Sequence, residues 1–402
     1  MFLEIAYVAA GSLAVSPFLP DKKMSHKKKL NIIFRRTGFM RELRDLYGNL
    51  KPKPPRFNGV NKTDRYTDYI YSIPLGLTLS ENLDKSIIEA FDQPVKVTSV
   101  GGRLHIRFYP EDLPEKIPYV EVPKKSGWRI PVGASLDGWI YHNFEKIPHM
   151  TVAGTTRFGK TVFLKTTLTY LTENQSEDVR FHIIDMKGGL EFGPYEKMKQ
   201  VVKVGSDVGE AAELLENIKK DIERKMRYFK RKGYNNIVNT PIKTRNFIIV
   251  DEAAQLTPDK HTDPEVKKIM GKCQSNLSEI ARVSGALGYR LIFCTQYPTG
   301  DTLPRQVKQN ADGKISFRLP TGTASRVAID ENGAEYLPNP GRAIYRTHER
   351  DIVQVPMLED DEMKRRLKPF ITEEKAVVES GRSSNKNVSG AEGDNIMEFG
   401  YD

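Results

Sequence analysis

The sequence predicts an α/β protein in which a parallel sheet carries helices on both faces and is preceded by a small α+β domain. From about residue 124 onward, short apolar runs alternate with helix-like segments, as in a parallel sheet built from strand–helix–strand units. Before that point, strand, helix and hairpin patterns follow one another at short intervals. The chain has 402 residues, of which 39% are hydrophobic, so it can bury one large core or two smaller ones. We therefore expect two folded units with tails.

The first 20 residues form a short apolar segment. Residues 5–20 carry no charge, but this run is shorter than the ~20 residues of a spanning helix and contains Pro17. Positive charges follow the run, whereas a secretory signal has them in front. This order favours a cytoplasmic protein. The segment is expected either to associate with the membrane or to be a buried or interfacial piece.

Residues 21–56 hold nine of the ten net positive charges, with twelve basic and three acidic residues. The prolines of the motif KPKPPRF, residues 51–57, disfavour helix and strand ladders. We therefore expect a basic arm and a Pro-rich linker. The arm is either a solvated segment or a contact surface for nucleic-acid phosphates or anionic lipid headgroups.

Residues 57–123 carry the pattern of the small α+β domain. A strand is expected at residues 66–74, and a helix begins after the N-cap Ser80. A hairpin follows that turns at Gly101-Gly102, a pair that two-residue hairpin turns favour.

Residues 124–375 carry the pattern of the large domain. The expected strands are 149–153, 181–185, 247–251, 291–295 and 313–318. Residues 211–232 form a long basic amphipathic helix. The polar residues 376–402 have no apolar periodicity and are expected to be a disordered tail. Two cysteines are too few for a disulfide framework, which indicates a reduced, intracellular protein.

The segment GTTRFGKT fits the phosphate-binding pattern G-x-x-x-x-G-K-[ST], and it lies between an apolar strand and a helix-forming segment. In such a loop, backbone N–H groups surround the phosphates, the lysine reaches the β- and γ-phosphates, and the last hydroxyl helps to hold Mg²⁺. The predicted nucleotide-binding residues are Gly154, Thr155, Thr156, Arg157, Phe158, Gly159, Lys160 and Thr161. The predicted ligands are ATP and Mg²⁺, with Thr161 as one metal ligand.

Two further strands end in polar pairs. The strand NFIIV ends in Asp251-Glu252, where Asp251 is expected to hold Mg²⁺ through its water shell and Glu252 to activate the attacking water. The strand LIFC ends in Thr295-Gln296, and the Gln296 amide is suited to contact the γ-phosphate or the water. A base beside the phosphate loop indicates hydrolysis rather than a passive nucleotide switch.

The chain resembles a known family in residues 130–161, in the pair Asp251-Glu252 and in residues 281–298 (ARVSGALGYRLIFCTQYP). These segments look like the motor domain of FtsK/SpoIIIE DNA translocases, within the HerA-FtsK group of P-loop ATPases. The resemblance implies a RecA-like P-loop NTPase fold and a pre-motor domain in the small α+β unit. It also implies a ring, commonly a hexamer, that threads duplex DNA.

In this family an arginine from the neighbouring subunit completes each site, and by position Arg326 or Arg282 is the counterpart here. One departure concerns Arg157-Phe158, where the family usually has small residues. The layout is closest to the coupling and translocase proteins of Gram-positive conjugative elements.

The resemblance therefore implies an ATP-hydrolysing DNA translocase that moves DNA during transfer of a plasmid or mobile element. Duplex DNA is the expected substrate, and relaxase or transfer-channel proteins are candidate partners. The alternatives are a cytoplasmic segregation or packaging motor, an FtsK-like protein-secretion ATPase, and a nucleotide-dependent scaffold without enzymatic activity.

Overall fold

A computed structural model describes residues 24–44 and 47–372. The predicted apolar segment 1–20 and the predicted disordered tail 376–402 lie outside the described residues. The chain divides into two compact units between Asp112 and Leu113, which is earlier than the boundary expected near residue 123. The difference arises because residues 113–123 pair with the second unit, where Pro118 bridges to Met357.

Both units contain helices and strands. The helices are α1 (His26–Arg36), α2 (Glu81–Ala90), α3 (Lys160–Asn174), α4 (Val208–Lys232), α5 (Pro264–Val283), α6 (Arg305–Asn310), α7 (Gly322–Ile329) and α8 (Asp360–Leu367). The strands of the first unit are β1 (Arg41–Arg44), β2 (Leu50–Lys53), β3 (Phe57–Lys62), β4 (Thr67–Ser72), β5 (Val95–Val100) and β6 (Arg103–Phe108). The strands of the second unit are β7 (Arg129–Ser135), β8 (Gly138–Asn143), β9 (Met150–Ala153), β10 (Val179–Asp185), β11 (Val201–Gly205), β12 (Arg245–Asp251), β13 (Tyr289–Thr295), β14 (Gly313–Ser316), β15 (Arg342–Arg346) and β16 (Arg350–Gln354).

The first unit is an antiparallel sheet in the order β3-β4-β6-β5 with two helices against it. Its predicted strand, helix and hairpin are all present, and the Ser80 hydroxyl accepts a hydrogen bond from the Leu83 N–H as the expected N-cap. Apolar side chains of α1, α2 and the sheet form one core. The predicted small α+β domain therefore contains one more helix, α1, than the sequence patterns indicated.

The predicted basic arm and linker at residues 21–56 differ from the structure, which folds most of this segment. Leu30, Ile33 and Phe34 of α1 are buried in the core of the first unit. The prolines do not prevent strand pairing either, because β1 and β2 form a separate two-stranded ribbon in which Pro52 pairs with Glu42. Such a ribbon has no central strand, and prolines are tolerated in strands at an edge.

The second unit is built on a ten-stranded sheet in the order β11-β10-β12-β13-β9-β14-β15-β16-β7-β8. The five predicted strands are present, and the six strands from β11 to β14 in this order are parallel. The other four strands, β15, β16, β7 and β8, were not predicted from the sequence and continue the sheet in antiparallel pairs. Hairpin connections allow antiparallel pairing without a crossover helix, so no strand–helix alternation marks these strands.

Helices cover both faces of the parallel strands, as the sequence predicts. Side chains of α3 and α8 pack on one face, and those of α4 and α5 on the other. The long basic helix α4 begins after the N-cap Asp207 and ends at Gly233. Cys273 and Cys294 are buried free thiols. None of the helices within residues 24–44 and 47–372 is long and apolar enough to cross a bilayer.

Candidate nucleotide-binding site

The GTTRFGKT segment forms a tight loop that joins the central strand β9 to α3. Gly159 has φ +113°, which favours glycine, and a Cβ at Gly154 would lie 2.6 Å from the Cβ of Phe317. Both glycines of the pattern are therefore needed for the loop to fit against the end of β14. The loop places the first turn of α3 at the carboxyl end of the sheet, where a helix N-terminus favours anions.

Neighbouring segments hold this loop on two sides. The N–H and the hydroxyl of Thr155 both donate to the Arg318 carbonyl oxygen, each at 3.0 Å. The Gly341 N–H donates to the Phe158 carbonyl oxygen at 2.9 Å. The Phe158 ring packs against the core, with the Arg318 guanidinium 5.6 Å from its centroid. The Phe158 side chain therefore faces the protein rather than the cavity beside the loop.

Lys160, Asp251 and Glu252 form a buried charge cluster beneath the loop. The Lys160 ammonium donates to Glu252 Oε2 at 2.9 Å and lies 3.4 Å from Asp251 Oδ1. Burial opposes the charged form of Lys160, but the two carboxylates raise the pKa of its ammonium above the ordinary value. Lys160 is therefore a cation at neutral pH.

Lys187 joins the same cluster from the loop after β10. Its ammonium donates to Asp251 Oδ2 at 3.1 Å. The carboxylate of Asp185, at the end of β10, fixes this loop because it accepts the backbone N–H groups of Lys187, Glu191 and Phe192. Asp185 thus orients the loop that carries Lys187, and Lys187 is the second cation that contacts Asp251.

The end of β13 completes the site. The Gln296 N–H donates to Glu252 Oε1 at 3.2 Å, and the Thr156 hydroxyl donates to Gln296 Oε1 at 3.1 Å. The structure therefore brings the phosphate loop, the Asp251-Glu252 pair and Gln296 together at the carboxyl ends of β9, β12 and β13, as the sequence predicts.

A cavity of about 490 Å³ opens above these residues, within the size range of small-molecule sites. The charged residues around its floor come from the phosphate loop and the parallel strands. The opposite wall comes from the antiparallel part of the sheet and from residues 115–116. This wall is formed by Glu115, Lys116, Asn339, Pro340, Gly341, Gln354, Val355, Pro356 and Met357.

The donor set fits Mg²⁺ held together with nucleotide phosphates. Asp251 is fully buried, and its Oδ1 atom accepts no hydrogen bond. Thr161 lines the cavity from the first turn of α3. No group of three or more His, Cys, Asp or Glu side chains suited to a metal occurs among the described residues. Mg²⁺ usually takes only one or two carboxylates together with substrate phosphates and water, so this donor set is sufficient.

The two candidate arginines lie away from this cavity. Arg326, on α7, is exposed and donates to Asn332 Oδ1 at 2.8 Å and to Thr323 Oγ1 at 3.1 Å. Arg282 is exposed in the last turn of α5. Neither side chain lines the cavity of its own chain.

Sequence reasoning missed Lys187 and the antiparallel wall. The motif IIDMKGG contains a signal for Lys187, since a lysine two residues after a strand-end aspartate is held near the neighbouring strand end. The wall has no comparable local signal, because residues 339–341 and 354–357 meet the phosphate loop only through long-range pairing.

The chain is similar in sequence to one protein family and to curated relatives. The model of the FtsK/SpoIIIE family matches residues 125–253. The DNA translocase FtsK of Lactiplantibacillus plantarum is 29% identical over 234 residues, which cover 54% of this chain and 28% of the relative. The DNA translocase SpoIIIE of Bacillus subtilis is 28% identical over 268 residues, covering 61% and 33%. The matched regions are thus a third or less of the length of these relatives.

Two solved structures share the fold. The pCW3 conjugation coupling protein TcpA, in a monomer form with ATPγS, has a TM-score of 0.60 and 20% identity, and the match covers 85% of this chain and 98% of that one. The cytoplasmic domain of the Thermomonospora curvata type VII secretion ATPase EccC has a TM-score of 0.52 and 19% identity, covering 65% and 33%. These matches confirm the predicted P-loop NTPase fold. The family match adds that residues 125–253 are similar to the FtsK/SpoIIIE family.

Proposed function

We propose that this chain is an ATP-hydrolysing DNA translocase that moves DNA during transfer of a plasmid or mobile element. The observation that carries the proposal is the convergence of Lys160, Asp251, Glu252 and Gln296 beside the phosphate loop. A passive nucleotide switch or scaffold needs a phosphate loop but does not need a positioned carboxylate base. This group therefore favours turnover.

Each residue of the group has a distinct proposed role. Lys160 and the loop N–H groups bind the triphosphate, and Thr161 and Asp251 hold Mg²⁺. Mg²⁺ supplies charge neutralisation of the phosphates when it is bound. Glu252 takes a proton from the attacking water, and the Gln296 N–H fixes the direction of its carboxylate. The Gln296 side-chain amide contacts the γ-phosphate or the water.

DNA as the substrate is supported by the similarity to the family and by the two relatives described above, both of which are named DNA translocases. The proposal of plasmid transfer is supported by TcpA, because the match covers nearly the whole of that conjugation coupling protein. The type VII secretion ATPase EccC is matched over only a third of its chain, which gives less support to protein secretion.

We further propose a homo-oligomeric ring, commonly a hexamer in this family, with Arg326 or Arg282 acting on the neighbouring site.

The basic side of α1 is a proposed accessory DNA contact. Lys28, Arg35 and Arg36 are exposed, whereas the apolar side of α1 is buried in the first unit. Deleting residues 21–56 would remove that buried side, so Lys28→Glu, Arg35→Glu and Arg36→Glu together are the sharper test. Weaker DNA binding with a smaller salt slope supports a DNA contact. Unchanged DNA binding combined with loss of binding to anionic vesicles would assign this surface to lipid instead.

DNA-stimulated ATPase activity of the purified chain tests the main proposal. We expect duplex DNA to raise ATP turnover, and Lys160→Ala to abolish both basal and stimulated turnover. Translocation is read out separately, by ATP-dependent displacement of a DNA-bound strand or protein. Turnover that is indifferent to DNA would contradict the translocase proposal and favour a secretion ATPase. An absence of ATP binding in the assembled parent would contradict any ATPase.

A further inference from the structure

Arg157 has a backbone conformation that an arginine adopts at a cost. Three non-glycine residues in the part of the chain that the structure describes have φ in the left-handed region: Arg157 at +69°, Glu252 at +61° and Asp330 at +62°. This region places the Cβ of an L-residue too close to the backbone, so glycine is favoured there. A glycine at position 157 would therefore satisfy the loop with less strain.

The other two residues have contacts that offset this cost. Glu252 accepts from the Lys160 ammonium and from a backbone N–H, and Asp330 forms ion pairs with Lys308 and Lys314, each at 2.8 Å. Arg157 is exposed and has no hydrogen-bond or ion-pair partner within residues 24–44 and 47–372. Its side chain therefore contributes no contact that would explain an arginine at this position.

Arg157 lines the nucleotide cavity from the phosphate loop. Lys160 and Lys187 line the cavity and are matched by the buried carboxylates of Asp251 and Glu252, which do not line it. These four charges cancel, although a nucleoside triphosphate brings several negative charges to the same floor. Arg157 is the additional cation next to the place where the phosphates bind.

The remaining charges of the lining do not change this balance. Glu191 forms an ion pair with Lys165 at 3.0 Å. Glu115 and Lys116, on the opposite wall, contribute one charge of each sign. A guanidinium is also well suited to the task, because its planar array of donors matches phosphate oxygens in pairs.

We propose that Arg157 is a nucleotide-binding residue whose guanidinium contacts the polyphosphate of ATP bound to the same chain. The inference rests on the proposed function, since it requires ATP in this cavity. It adds a specific side-chain contact to the backbone contacts that a phosphate loop provides. The fold holds this position in the left-handed region, and the proposed contact with the phosphates is the reason for an arginine there instead of a glycine.

Stability and affinity measured on the same variants test this inference. We compare Arg157→Gly and Arg157→Asn, which suit a left-handed backbone and carry no charge, with Arg157→Lys, which keeps the charge. Thermal unfolding is measured without nucleotide, and ATP affinity is measured with Mg²⁺ at low and high salt. The full-length protein is used throughout, with Lys160→Ala as the control for loss of the phosphate site.

We expect Arg157→Gly and Arg157→Asn to unfold at the parent temperature or above it, yet to bind ATP about tenfold more weakly. Their ATP affinity should also depend less on salt than that of the parent, because a charged contact is lost. Arg157→Lys should stay within about threefold of the parent affinity. A merely structural arginine would not give unchanged or increased stability together with weaker binding.

Parent-like ATP affinity and salt dependence in Arg157→Gly would overturn the inference while leaving the proposed function intact. Lower stability in both uncharged variants would also overturn it, because the arginine would then have a structural role. If the parent and Lys160→Ala both fail to bind ATP, the proposed function fails first and the inference fails with it.

Discussion

The parallel and antiparallel halves of the large sheet contribute different things to one cavity. The parallel half supplies the charged floor. There, the buried Lys160 ammonium lies 2.9 Å from Glu252 Oε2 and 3.4 Å from Asp251 Oδ1. The segments next to the antiparallel strands β15 and β16 supply a wall that is mostly uncharged, with Pro340, Val355 and neighbouring residues. We therefore assign the proposed hydrolysis to the strand ends of the parallel half, and the space for the rest of the proposed ligand to the antiparallel half.

The wall is suited to the flat, apolar part of a nucleotide. Binding pockets are lined mainly by apolar groups with a few polar contacts for orientation. Gly341 links this wall to the floor, because its N–H donates to the Phe158 carbonyl oxygen of the phosphate loop. The two halves should therefore be separable by mutation: a change at the carboxylate base of the floor should act on turnover, and changes in the wall should act on binding.

The largest expected effect comes from a residue in neither half. Arg326→Ala or Arg282→Ala should lower ATP turnover by about 10³-fold without abolishing ATP binding, because an arginine supplied by a neighbouring subunit stabilises transition-state charge. Turnover is measured on assembled protein. Mixing the inactive arginine variant with Lys160→Ala should restore part of the activity at mixed interfaces. Parent-like turnover in both single variants, or no complementation in mixed rings, would contradict a shared site.

Gly341→Ala is the matching test of the wall. Gly341 has φ +79°, and a Cβ there would lie 2.5 Å from the Gln354 side-chain nitrogen. We expect the KM for ATP to rise about tenfold, with kcat at saturation within about twofold, because strain at Gly341 displaces the wall, whereas Lys160, Asp251 and Glu252 are held by contacts with one another. Gly300→Ala is the control, since no atom lies within 4 Å of a Cβ at that position. A loss of kcat with unchanged KM would break the proposed division.

Lys187 provides a test of metal binding at the floor. Its ammonium pairs with Asp251, so a Mg²⁺ ion held by Asp251 must compete with it. Lys187→Met should lower the Mg²⁺ concentration for half-maximal ATPase activity by about two- to fivefold, the range expected for one partly exposed ion pair. Lys199→Met, which removes a surface pair with Glu177, serves as the control. A higher Mg²⁺ requirement in Lys187→Met would mean that Lys187 assists the metal site.

The smallest expected effect on activity lies at the opposite, amino-terminal edge of the same strands. Burial, together with the positive charges of Arg245 and Arg290, lowers the pKa of the Lys225 ammonium to about 8 against the opposing effect of Asp221. Above pH 8 the folded protein releases a proton that the unfolded chain keeps up to its ordinary pKa of ~10.4, so this group makes stability rise with pH in that window.

Lys225→Met should therefore unfold at a higher denaturant concentration than the parent at pH 7 and should reduce the rise in stability between pH 8 and 10. Its ATPase activity should be unchanged. Denaturant unfolding at several pH values provides the measurement. An undiminished rise in the variant would show that another group controls this pH dependence.

The floor and the wall of the cavity also differ in how well the sequence predicts them. The floor was predictable because each part is local: a glycine pattern between strand and helix, and acidic or amide residues directly after apolar strands. The wall was not, because it depends on pairings such as Gln354 with Ala134, which are more than 200 residues apart and have no local sequence signal. Helix α1 was missed because its lysines and arginines mask a narrow apolar stripe.

The most direct test of the central claim is the separation of ATP binding from turnover in Glu252→Gln. The substitution keeps an oxygen that can accept the Gln296 N–H but removes the carboxylate base. The account predicts an ATP Kd within about threefold of the parent and a DNA-stimulated kcat lower by about 10² or more. Parent-like turnover in an assembled Glu252→Gln protein would contradict the assignment of the chemistry to the floor of this cavity.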